Sequence, residues 1–307
     1  MKRSPVNVEK RATLTGHKDC IYTLVGAKDS QITYSGAGDG MVVAWDLTNP
    51  ELGQMIAKVP NSIYALFLDE ARNQMIVGHN YDGIHIIDLE TKKETYSLKL
   101  TSAAIFDLQV FENQCFVTTG EGEVIVVNIE SQPTIVNRLK LSDKSARTLS
   151  VNPVDMHFAV GCSDHKVRIF DLKDFSLIKE ISGHSNSVFT VRYTPDFQQL
   201  ISAGRDAHFK VWDTIKYEEQ ESVVAHMYAI NHIDFSPSGK HFVTCSMDKA
   251  IKVWDLQTFR LLKVIDKARH AGHGTSVNKL FWSGYKNRLV SASDDRTLSV
   301  WDLTFDS

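Results

Sequence analysis

The 307-residue chain predicts an all-β fold in which one sheet unit is repeated seven times. Two observations carry this expectation: a stretch whose strands and turns can be read one by one, and a strand-ending pair that recurs at a nearly fixed interval. The stretch is Gly183–Asp213, which opens on Gly-His and closes on Trp-Asp. Its apolar runs Val188–Tyr193, Gln199–Ala203 and Phe209–Trp212 alternate with strand periodicity, and Thr194-Pro195-Asp196 and Gly204-Arg205-Asp206 supply the turns. Loops this short leave no room for a crossover, so the strands are antiparallel. The pair stands at Trp45-Asp46, Ile87-Asp88, Val127-Asn128, Phe170-Asp171, Trp212-Asp213, Trp254-Asp255 and Trp301-Asp302. Subtracting those positions gives intervals of 42, 40, 43, 42, 42 and 47 residues. A sheet unit of roughly 40–45 residues repeated along a whole chain is the signature of a propeller blade.

Taken in order, Val6–Leu14 reads as a strand standing before the first Gly-His, Gly16-His17. Repeat 1, Gly16–Leu47, is regular. Repeat 2 has Val59-Pro60 in place of Gly-His and ends on Ile86-Ile87-Asp88, and repeat 3 ends on Val126-Val127-Asn128 after the turn Gly120-Glu121-Gly122. Repeat 4 has Leu141-Ser142 where Gly-His would stand but keeps the turn residue Asp164, and its Lys166 and Arg168 are expected to point to solvent. Repeats 5 to 7 return to pattern, with Ala225-His226 in repeat 6 and extra residues around Lys267–Gly272 behind the 47-residue interval. Five residues follow Trp301-Asp302, too few for a fourth strand in the last repeat.

These Gly-His openings, Trp-Asp endings and their period resemble the WD-repeat family over the whole chain, strongly in four repeats and weakly in three. The resemblance implies a single domain over residues 1–307, a seven-bladed β-propeller with four-stranded antiparallel blades. It also implies that the N-terminal strand becomes the outer strand of the last blade and closes the ring, removing the edge that an open array would expose.

Composition narrows the function. Hydrophobic residues make up 43%, charged residues 23%, and the net charge is −3, an ordinary soluble balance with no electrostatic bias toward nucleic acid or an anionic membrane. No segment approaches the roughly 18–20 uninterrupted apolar residues of a membrane span. Residues Met1–Lys10 include basic groups but no apolar run, so no secretory signal is expected. Cys20, Cys115, Cys162 and Cys245 lie in four different repeats, without a metal-type pair or a disulfide framework, which suits the reducing cytoplasm.

The most constrained chemistry is structural. In four repeats a histidine precedes an aspartate by 22 residues, with a hydroxyl four before that aspartate and a tryptophan six after it. The sets are His17, Ser35, Asp39, Trp45; His184, Ser202, Asp206, Trp212; His226, Thr244, Asp248, Trp254; and His273, Ser291, Asp295, Trp301. The composition is that of the family's hydrogen-bonded tetrad. A buried turn carboxylate needs donors and the imidazole supplies one; its other nitrogen accepts from the hydroxyl, whose oxygen accepts the indole N–H. Residue types alone would also suit a catalytic triad, but four copies, each with a tryptophan, describe a repeated structural device. No other enzyme motif is present, and no cofactor is expected. His79/His85 and His270/His273 lack acidic or thiol ligands at a convincing spacing, so no metal site is expected either.

A second register bears on function. Five residues beyond each histidine position lie Tyr22, Tyr64, Phe106, Arg147, Phe189, Asn231 and Asn278. In the family these positions resemble those at the top rim of the central channel, where aromatic and arginine side chains are good binding anchors. The alternative is that they pack between neighbouring blades. The residue before each turn aspartate is the family's other top-face position and includes Arg205 and Met247. Together these features describe a non-catalytic scaffold, not expected to bind nucleic acid or membrane, that binds a protein or peptide on its top face as a monomeric propeller. The competing class is a small-ligand or catalytic propeller that uses the channel mouth.

Overall fold

Short alternating strands joined by tight hairpins assemble into seven four-stranded antiparallel sheets, an all-β seven-bladed propeller. The computed structural model describes residues 6–27, 30–50 and 53–305. Within a blade the strands follow chain order, as in repeat 5 with Val188–Tyr193, Gln199–Gly204, His208–Asp213 and the outer Glu219–Val224. The last blade breaks that order. Beside Val277–Trp282, Arg288–Ser293 and Thr297–Phe305 its outer strand is Val6–Thr15, with Val6 opposite Phe305 and Thr15 opposite Thr297. The N-terminal strand therefore completes the last blade, one residue longer than its sequence pattern predicts.

Burial explains the composition of the strands. The second strand of repeat 4, His157–Cys162, buries Phe158, Ala159, Val160 and Cys162, because both faces of a middle strand are covered. The outer strand Lys93–Lys99 is exposed along most of its length and carries polar residues accordingly. Each fully buried Val, Leu, Ile or Phe side chain stabilises the fold by about 1.5–3 kcal/mol.

The chain divides into two compact units, Met1–Pro60 with Asn231–Ser307, and Asn61–Ile230. In the first, Val6 packs with Val253, Leu280, Trp282 and Trp301, while Leu14 packs with Ile21, Trp45, Val290 and Val300. The closing strand thus contributes to two clusters. In the second unit, Phe116, Leu149, Phe158 and Phe170 form one cluster and Val191, Leu200, Trp212 and Tyr217 another. The extra residues before the last blade form a one-turn helix, Lys267–His270, whose first turn is capped by Asp266 accepting from the Arg269 N–H. No helix among the described residues is long and apolar enough to cross a membrane.

The hairpin between second and third strands needs a left-handed residue in every blade. Gly40, Tyr81, Gly122, His165, Ala207, Lys249 and Arg296 occupy it at φ between 63° and 77°. Five of the seven are neither glycine nor asparagine, and such a conformation costs roughly 1–2 kcal/mol, so the hairpin must be held by other groups.

Candidate functional site

In six of the seven blades the residue before that left-handed position is a carboxylate, and in repeat 2 it is Asn80. Asp206 accepts from His184 Nδ1 at 2.8 Å and from the backbone N–H groups of Ser185 and His208 at 3.1 and 3.3 Å. His184 Nε2 lies 2.7 Å from Ser202 Oγ, and Trp212 Nε1 donates to the same oxygen at 2.8 Å. With the proton on Nδ1, Nε2 accepts from the serine hydroxyl. His17 Nδ1–Asp39, His17 Nε2–Ser35 and Trp45–Ser35 repeat this at 3.1, 2.7 and 2.8 Å. The same contacts among His273, Asp295, Ser291 and Trp301 measure 2.8, 2.9 and 2.9 Å. In the remaining set, Trp254 Nε1 donates to Thr244 Oγ1 at 2.9 Å, and Asp248 accepts the Ala250 N–H at 3.0 Å.

Burial alone would raise the Asp39 carboxyl, but the N–H groups of Lys18 and Met41 and the His17 ring outweigh it and hold the group below the ordinary range. Burial also opposes ionisation at Asp295, yet the hydrogen bonds from His273 and Thr297 bring it down to about 2. The oxygens of Ser35, Ser202 and Ser291 belong to fully buried residues, so these sets hold hairpins together rather than meet a substrate.

The second register separates into two groups. In the unit Asn61–Ile230, Tyr64 and Phe106 stack with ring centroids 5.9 Å apart and planes within 4°. The guanidinium carbon of Arg147 lies 3.9 Å from the Phe106 centroid and 4.7 Å from that of Phe189. Four side chains from four successive blades thus form one continuous pile of ring, ring, guanidinium and ring. Each is the second residue of its blade's first strand, and the strand register slips there: between Ile63 and Ala65, Ile105 and Asp107, Ala146 and Thr148, and Val188 and Thr190. A bulge re-aims the side chain it carries, which is how four strands deliver these groups to one place. Arg147 is half-buried, and its guanidinium has no carboxylate or carbonyl partner among the described residues. Burial holds it below the ordinary arginine range, against the pull of Tyr64, but a guanidinium keeps its proton at neutral pH.

In the other unit the same register is occupied differently. Asn231 Nδ2 donates to Ser276 Oγ at 3.0 Å and Val277 O at 2.8 Å. Asn278 Nδ2 donates to Ile21 O at 2.9 Å and Asp294 Oδ1 at 2.7 Å. These two amides, expected to face a partner, instead lace successive blades together. Tyr22 is half-buried beside Cys20. Met247 is exposed on its hairpin, and so is Arg205, whose guanidinium makes no hydrogen bond or ion pair among the described residues.

Two further expectations are corrected. Arg168 does not point to solvent: it is buried, reaching Asp164 at 2.7 and 3.2 Å and Glu180 at 3.0 Å, because the third strand of a blade is covered on both faces. The pair His79/His85 does have acidic neighbours. Asp82 lies 3.3 and 3.2 Å from the two rings, and Glu94 lies 2.6 Å from His85. Sequence reasoning also missed three exposed large side chains, Tyr81, Met227 and Tyr228. Tyr81 occupies the left-handed hairpin position, a placement visible only once repeat 2 is aligned on its turn.

The family profile described as WD domain, G-beta repeat matches residues 8–46, 175–213, 218–255 and 265–302, about half of the chain. A striatin homolog of Dictyostelium discoideum is 22% identical over 217 residues, 64% of this chain and 26% of that protein. A periodic tryptophan protein 2 homolog of Mus musculus is 23% identical over 227 residues, 66% of this chain and 24% of that protein. The chain thus matches about a quarter of the length of these two relatives. The crystal structure of the WD40 beta propeller domain of Doa1 aligns over 97% of both chains with a TM-score of 0.85 and 18% identity, a likeness of fold. With the profile matching half its length and seven blades of the same construction, the chain belongs to the WD40, or WD domain G-beta repeat, family.

Proposed function

We propose that the protein is a non-catalytic interaction scaffold that grips a peptide segment or protein loop on the top face of its propeller, at the mouth of the channel. WD40 propellers typically serve as protein-interaction scaffolds and are generally non-catalytic. The observation that supports this site is the pile Tyr64, Phe106, Arg147, Phe189. Flat rings held face to face have little rotamer freedom left to lose on binding. Arg147 lies between two rings and its guanidinium has no carboxylate or carbonyl partner among the described residues, which leaves it to pair with a carboxylate on the partner. Arg205, also without a counter-ion among the described residues, lies in the same unit. Four unpaired cysteines, three of them buried, suit a reducing compartment, and we place the protein in the cytoplasm.

The test is the double variant Tyr64→Ala with Arg147→Ala, measured against a partner purified from the native host. Binding should weaken by about 2 kcal/mol or more, as hot-spot truncations do. Thermal melting should stay close to that of the parent. A variant that melts early, while its folded fraction still binds normally, would reduce the pile to packing between blades.

A further inference from the structure

Repeat 2 carries none of the tetrad residues, and its hairpin holds a different polar cluster. His79 ends the second strand, Asp82 sits in the turn and His85 stands on the third strand. His79 Nδ1 is 3.2 Å from His85 Nε2, and Asp82 Oδ2 is 3.3 and 3.2 Å from those two nitrogens. The three donor atoms therefore form a nearly equilateral triangle. Zinc binds imidazole nitrogen and carboxylate oxygen tetrahedrally at about 2.0–2.2 Å, which sets neighbouring donors about 3.3 Å apart. We propose that His79, Asp82 and His85 form a binding site for a divalent transition-metal ion, zinc above all, with the fourth coordination position open to solvent.

The surroundings support this assignment. Both histidines lie on paired strands, with His79 opposite Gly83 and His85 opposite Val77, so their backbones are fixed before any ion arrives. The left-handed Tyr81 turns the chain so that Asp82 comes back over both rings. His85 Nδ1 faces Glu94 Oε2 at 2.6 Å, which keeps its proton on that side and presents the Nε2 lone pair to the cluster. The Asp82 side chain is 37% exposed while those of His79 and His85 are 5% and 13%, so an ion would enter over the carboxylate. Two imidazoles with a carboxylate suit zinc and its neighbours in the first transition row rather than magnesium or calcium. One group must yield. His79 Nε2 accepts the Asn61 N–H at 3.1 Å, so without an ion the ring proton sits on Nδ1. Coordination through Nδ1 moves that proton to Nε2, and the Asn61 peptide turns away.

Chelator-treated full-length protein titrated with zinc in a calorimeter should bind one equivalent, and cobalt in its place should give the intense visible bands of a tetrahedral ion. Asp82→Asn and His85→Ala should each weaken zinc binding at least tenfold, and Glu94→Gln by about 10–100-fold. Asp82 and Glu94 are partly exposed, so their variants keep the readout even where His85→Ala fails to fold. Zinc affinity equal to the parent's in folded Asp82→Asn, or a cobalt spectrum of octahedral type, would overturn the proposal.

Discussion

Repeats 4 and 5 turn the same hairpin on an aspartate and hold it in opposite ways. Asp206 takes an imidazole from the loop that enters the blade, and the network continues through Ser202 to Trp212. Asp164 takes a guanidinium from its own third strand, four residues away, and Arg168 is shared with Glu180 on the outer strand. One device ties the entering loop to the sheet, whereas the other ties the hairpin only to its own blade. What the fold requires is a donor for the turn carboxylate, since a buried carboxylate without one is costly. Repeat 2 has no carboxylate there: Asn80 stands in the turn position and accepts the N–H of Ile105, on the next blade, at 2.7 Å through Oδ1. The Gly-His and Trp-Asp signature can therefore fade without loss of the blade.

The comparison breaks most directly at Asp206. Asp206→Ala leaves the Nδ1–H of His184 and the backbone N–H groups of Ser185 and His208 without their acceptor, and should cost about 2–4 kcal/mol in thermal or denaturant unfolding. Asp196→Ala, on an exposed loop of the same repeat, removes only the acceptor of Thr194 Oγ1 and the Gln198 N–H and should cost less, about 0.5–1 kcal/mol. Equal melting of the two would remove the tetrad from the account of stability. Next comes Arg168→Met, which keeps the apolar stem but leaves Asp164 and Glu180 facing each other. A loss of about 1–2 kcal/mol is expected, smaller because both carboxylates reach solvent. A loss as large as that of Asp206→Ala would make the two devices equivalent.

Acid sharpens the comparison through a carboxylate that solvent partly screens. Asp295 is held at about 2 against an ordinary value of 3.8, so its stabilisation is complete above about pH 5 and drains away as the pH falls through 4 toward 2. Asp295→Asn should lower stability at neutral pH and flatten the decline between pH 4 and pH 2. An unchanged slope in that window would show that the carboxylate is not coupled to folding.

The tetrads were legible because their parts are local. A hairpin of set length fixes the separation of 22 residues between His184 and Asp206, and a strand of set register fixes the place of Trp212. The closing strand was legible as a period-two pattern before the first repeat. Arg168 was misread because alternation marks a strand but not how many of its faces are covered. The cluster of His79, Asp82 and His85 stayed hidden because a tyrosine with positive φ gives no turn signal in sequence.

Sequence by itself determined the number of blades, the hairpins and the tetrads, since each depends on spacing along one stretch of chain. It also placed Tyr64, Phe106, Arg147 and Phe189 in one register. Only the tertiary structure decided that these four share a stack while Asn231 and Asn278 bind backbone and side chains of the next blade. Residues some 42 positions apart meet only because neighbouring sheets pack side by side, and no spacing along the chain encodes which side chains then touch.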